Sequence, residues 1–170
     1  GLRVLTNAQR QELAAEALDH ATLEHLEVEW LPSAVDQVLS LADQAANHRV
    51  TPDRIEAFAT ERLEALAAHR SDRAYRAALE RIDLARAVRA FQELKRELGV
   101  IDFGDQITYA LRIVEERPEV AEELRARYGA VLLDEYQDTN VAQAELIARV
   151  FGGGFPVTAV GDPDQNIYAW

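Results

Sequence analysis

The sequence predicts a mostly α protein with a small α/β part, on three observations. Apolar residues recur at helical spacing from residue 7 to about 98. Two short apolar runs, 130–133 and 155–160, flank one further helical stretch, the order expected of a parallel strand-helix-strand unit with a right-handed crossover. The pattern changes at Gly99, so a helical region over 1–98 and an α/β region over 99–170 are expected.

Each element has a local cause. Thr6 with Gln9 three positions on forms a capping box for a helix over 7–19, with Leu13, Ala14 and Ala17 on one face. A second helix follows Pro32, its stripe Val35, Val38, Leu39, Ala42 and Ala46 ending at Asn47-His48. Thr51-Pro52-Asp53 supplies an N-cap, a first-turn proline and an acid that suits the helix dipole, before Ile55, Phe58, Leu63 and Leu66. Ser71-Asp72 opens the longest helix, striped by Leu84, Val88, Phe91 and Leu98 and closed by Gly99 as a C-cap glycine. The stretch 22–30 has no clear period. Beyond Gly99, Ile107, Leu111 and Val114 mark another helix and Pro118 starts a short acidic one. The run 130–133 reads as a strand buried on both faces. Asn140 and Gln143 then cap a helix from about 141 to 151, and Gly152-Gly153-Gly154 connects it to the second strand.

Composition narrows the function. With no cysteine, disulfides, thiolate-zinc sites and cysteine nucleophiles are excluded, and a cytoplasmic protein is expected. No run approaches the roughly 18 apolar residues of a membrane span. The chain begins at Gly1 and contains no methionine, so it reads as a piece of a longer protein, with trimming of a first methionine as the alternative. Its net charge is −12, and the acid is uneven: positions 1–98 carry 13 cations and 17 anions, positions 99–170 carry 5 and 13. A DNA-coating role is disfavoured, since phosphate affinity comes from clustered Lys and Arg. Lys95, the only lysine, follows Leu94, so no Gly-x-x-x-x-Gly-Lys-Ser/Thr phosphate loop is present. His20, His25, His48 and His69 have no metal-ligand spacing.

Both candidate strands end in acids, at the edge where parallel sheets bind ligands. Asp134 at the first strand tip suits Mg2+, which takes one or two carboxylates plus phosphate oxygens, and Glu135 suits a base that activates water. A solvated acidic turn is the alternative reading of these two residues. Gln165, beyond the second strand, offers a neutral amide to a terminal phosphate oxygen. Tyr168 and Trp170 suit either stacking on unpaired bases or burial in a core.

Residues 131–140, VLLDEYQDTN, and 157–170, VTAVGDPDQNIYAW, closely resemble motifs II and III of the UvrD/Rep/PcrA-like superfamily 1 DNA helicases. IDFGDQI over 101–107 resembles the stretch preceding motif II, and the likeness covers 99–170. Gly104 replaces a common Asp, Asn166 a common Ser, and Ala169 occupies a variable position; no catalytic group is lost. The resemblance implies a partial RecA-like parallel sheet after a helical insertion of the 1B type. It implies Asp134 as the Mg2+ ligand, Glu135 as catalytic base, Gln137 near the nucleotide and domain interface, Gln165 as γ-phosphate sensor, and Tyr168 and Trp170 along the DNA path. ATP and Mg2+ are the implied cofactors. Single-stranded DNA and duplex junctions are the implied partners, with 3′ to 5′ movement in repair, recombination or replication. Lacking the phosphate loop and the arginine fingers of a second motor domain, the 170 residues alone are expected to be inactive. Two alternatives stand beside this: a non-enzymatic protein-binding module built on the helical part, and a Mg2+-dependent phosphohydrolase using Asp134, Glu135, Asp138, Asp162 and Asp164.

Overall fold

The computed structural model describes residues 1–70 and 72–165. The chain divides into two compact units, residues 1–45 with 50–103, and residues 46–49 with 104 onward.

The first unit holds β1 (Arg3–Val4), α1 (Asn7–His20), α2 (Leu31–Asn47), α3 (Pro52–Ala65), α4 (Arg73–Glu97) and β2 (Val100–Ile101). Thr6 and Gln9 form the expected capping box, and Thr51 caps α3 with Pro52 in its first turn. Gly99 takes φ 61°, the left-handed conformation that closes α4 at low steric cost. Leu13, Ala14, Ala17 and Leu18 pack with Val35, Val38 and Leu41 and with Leu84, Val88 and Phe91 in one core. Two stripe residues depart from expectation: Phe58 is 58% and Leu98 60% exposed. In α3 the small Ala59 is buried instead, leaving Phe58 one step round the helix outside the contact. No sequence pattern announced β1, which pairs in parallel with β2, Arg3 opposite Val100.

Charged groups are also built into this unit. Lys95 Nζ lies 2.8 Å from Asp102 Oδ2, both side chains buried, and 4.7 Å over the Phe91 ring. The lone lysine is therefore part of the packing rather than a phosphate ligand. Asp83 on α4 is fully buried and accepts backbone N–H groups from Glu24, His25 and Leu26 at 2.8, 2.5 and 2.8 Å. This anchors the stretch that lacked a period.

The second unit holds α5 (Phe103–Glu116, from Gly104), α6 (Pro118–Arg127), β3 (Val131–Leu133), α7 (Val141–Phe151) and β4 (Val157–Ala159). Val114, Ala121 and Val150 form its core with Leu124, Leu146 and Phe151 around them. Asn140 and Gln143 make a second capping box, and Asn140 also donates its side-chain amide to Asn47 Oδ1 at 2.8 Å. Arg49, at φ 56°, bonds Glu145 and Glu115 at 2.5 and 2.8 Å and so fixes the 46–49 segment. β3 and β4 pair in parallel, Val131, Leu132 and Leu133 opposite Val157, Thr158 and Ala159. Gly153 and Gly154 adopt φ 72° and 93° in the connector between α7 and β4. The expected burial of the first strand on both faces does not hold: Leu132 is 80% exposed. Among the described residues this sheet has two strands, and no element covers the face that Leu132 presents.

Candidate functional site

Parallel pairing brings the carboxyl ends of β3 and β4 side by side, which sets the two acidic tips against each other. The chain continues the ladder beyond both strands. Val160 N–H donates to the Leu133 carbonyl at 2.8 Å and Tyr136 N–H to the Val160 carbonyl at 3.0 Å.

Asp134 and Glu135 follow directly on Leu133, and both are exposed. Glu135 sits at φ 51°, ψ 41°, the left-handed region that costs a non-glycine residue free energy and here turns the chain sharply out of the strand. The Asp134 carboxylate accepts the Glu135 N–H at 3.0 Å through one oxygen. Residues Tyr136–Asp138 then form a single 3-10 turn.

Gln137, in that turn, spans both tips. Its Nε2 donates to Glu135 Oε2 at 2.5 Å, and its Oε1 accepts the backbone N–H of Asp162 at 3.0 Å. Gly161 makes this approach possible, because a Cβ there would stand 2.4 Å from Gln137 Oε1 and 3.1 Å from the backbone nitrogens of Gln137 and Tyr136. Asp162 in turn accepts the Asp164 N–H at 3.0 Å and the Gln165 side-chain amide at 2.7 Å. Gln165 is exposed and ends a second 3-10 turn, Pro163–Gln165.

Asp134, Glu135, Gln137 and Gln165 are thus brought to one edge of one small sheet, whereas Tyr168 and Trp170 lie outside the described residues. The sequence singled out these four but missed what joins them. The joining group is Asp162, whose backbone N–H meets Gln137 and whose carboxylate meets Gln165. A glycine immediately before an acid at a strand end was the available signal.

The donor set fits Mg2+ delivered with a nucleotide. Asp134 uses one oxygen within the protein, and its other takes no hydrogen bond from the described residues. Such a site supplies one carboxylate and leaves phosphate oxygens and water to complete six-fold coordination. Among the described residues no three carboxylate or histidine side chains gather into a metal-holding group. The five-acid phosphohydrolase arrangement therefore finds no support in this geometry.

The sequence pattern of the whole chain decides the relationship. The model of the UvrD/REP helicase N-terminal domain matches residues 3–170. The chain belongs to that family. ATP-dependent DNA helicase UvrD1 of Mycobacterium tuberculosis is 40% identical over 99 residues, covering 52% of this chain and 13% of the relative. DNA helicase II of Rickettsia typhi is 36% identical over 86 residues, 47% of this chain and 13% of the relative. ATP-dependent DNA helicase Rep of Salmonella typhimurium is 41% identical over 72 residues, 42% and 11%. This UvrD/REP-type segment thus spans about an eighth of the length of the relatives it matches. No helix among its described residues is long and apolar enough to cross a membrane.

Proposed function

We propose that this segment supplies the water-activating half of the ATPase site in a DNA helicase, acting in the cytoplasm on single-stranded DNA and duplex junctions. The observation that carries the reading is that the Asp134–Glu135 turn and the Asp162–Gln165 loop follow the ends of two paired parallel strands and are tied together through Gln137.

Asp134 would hold Mg2+ through its uncommitted oxygen. When bound with ATP, the ion neutralises charge on the β- and γ-phosphates. Glu135, one residue beyond, would orient the attacking water and accept its proton. Gln165 would exchange its bond to Asp162 for one to a terminal phosphate oxygen, giving the protein a difference to sense between nucleotide states. Tyr168 and Trp170 would carry that difference to DNA bases by stacking. Movement from 3′ to 5′, and work in repair, recombination or replication, belong to the same reading.

The test is DNA-stimulated ATP hydrolysis and unwinding by the full-length protein. Glu135→Gln should abolish turnover while nucleotide binding persists, and Asp134→Ala should weaken Mg2+-dependent binding. Wild-type turnover in Glu135→Gln would refute the assignment. The 170 residues alone should not hydrolyse ATP, because they carry neither a phosphate loop nor the arginine fingers of a second motor domain.

A further inference from the structure

A base that activates water must be held, not merely present, because misdirecting its lone pair by a fraction of an ångström costs rate. Glu135 has few means of being held. It is exposed, it is turned out of the strand by its left-handed backbone, and its neighbours along the chain are the turn residues themselves. Gln137 supplies the constraint.

We infer that Gln137 is a positioning residue for Glu135: its amide holds the Glu135 carboxylate while Asp162 N–H, in the loop that carries Gln165, holds the amide. The chemistry of the two partners leaves one orientation of the side chain. Asp162 N–H can only donate, so it takes Oε1, and a carboxylate can only accept, so it takes Nε2. Asp162 continues the chain of bonds to Gln165 through its own carboxylate. A movement of the 161–165 loop that withdraws Asp162 N–H therefore removes one of the bonds that orient the Gln137 amide toward the base. Glycine at 161 fits this arrangement, since any side chain there would occupy the position of Gln137 Oε1.

The inference rests on Glu135 being the base, and the experiment separates the two. In the full-length protein, Gln137→Glu keeps an oxygen for Asp162 N–H but sets a second carboxylate against Glu135. The turnover number should fall about ten-fold with KM for ATP changed less than about two-fold. An unchanged turnover number would overturn the inference. If Glu135→Gln itself turns over normally, the assignment of the base fails instead.

Amide hydrogen exchange on the full-length protein gives a readout that needs no ATP turnover. The Asp162 N–H should exchange slowly in the wild type and in Gln137→Glu, and at least about ten-fold faster in Gln137→Met, whose side chain offers only a weakly accepting thioether sulfur. Rapid exchange in the wild type would also overturn the inference.

Discussion

The carboxylate of Asp83, in the middle of the longest helix, accepts the backbone N–H of His25 at 2.5 Å across 58 residues of sequence. Glu24 and Leu26 donate to the same oxygen, and the other oxygen faces Arg86 at 3.5 Å. Three converging N–H dipoles and a guanidinium replace the water that a buried carboxylate gives up. Asp83→Ala removes the acceptor and leaves the 24–26 backbone without a partner. Its expected cost is about 2–4 kcal/mol, read as a lower urea midpoint with an unchanged slope, together with earlier proteolysis within 22–30. Asp83→Asn should fall between, because its amide keeps one acceptor oxygen but turns an NH2 group toward the donors.

This anchor shows where sequence legibility stopped. Capping boxes at Thr6 and Asn140, the proline start of α3 and the glycine stop of α4 are local arrangements, and their residues lie within four positions of one another. Asp83 is an acid within a helix, and its sequence neighbours do not distinguish a solvated position from a buried one. Its backbone donors lie far off in sequence, in the stretch between α1 and α2. Arg49 with Glu115 and Glu145 was invisible for the same reason. At the candidate site the strand tips and their acids were legible, because apolar run followed by acid is a local pattern. That Gln137 joins one tip to the other depends on the parallel register of β3 and β4. The burial expected of Leu132 failed because an apolar run states what a strand needs, not what covers it.

Glu56 gives the chain a defined acid sensitivity. Its hydrogen bond to Arg89, and secondarily that to Arg86, hold its carboxyl below the ordinary value of 4.5 against a desolvation that opposes them. A group whose pKa is lowered on folding contributes stability that is present above its unfolded value and lost as pH falls through its folded value. Stability from this cluster should therefore be constant above about pH 5 and decline below about pH 4.5. Glu56→Gln should be less stable at neutral pH and show a shallower decline across that window in urea titrations at several pH values. Equal slopes for the two proteins would remove Glu56 from the account.

The backbone of Glu135 stores strain at the place where the chemistry is proposed. At φ 51° and ψ 41°, a residue with a Cβ is disfavoured relative to glycine by about 1 kcal/mol. Comparing Glu135→Gly with Glu135→Ala isolates this, since both remove the carboxylate and its bond to Gln137. The glycine variant should be the more stable by about 1 kcal/mol, less the entropy that glycine adds to the unfolded chain. Denaturant unfolding of the two variants checks it. An alanine variant as stable as the glycine variant would mean that the turn relaxes out of the left-handed region once the glutamate is gone.

Gly161→Ala tests the site through packing rather than charge. The added Cβ would stand 2.4 Å from Gln137 Oε1, which is the far end of a flexible side chain and can swing away. The backbone nitrogens of Tyr136 and Gln137, at 3.1 Å, need to give by only a few tenths of an ångström. Stability should therefore change by less than about 1 kcal/mol, while Gln137 loses the Asp162 N–H and its hold on Glu135 slackens. The full-length variant is expected to bind ATP normally and turn it over about ten times more slowly. Adding Gln137→Met to it should cost little more, because two substitutions that break the same contact do not add. Full additivity in that double-mutant cycle would show that glycine at 161 and the Gln137 bridge serve separate ends.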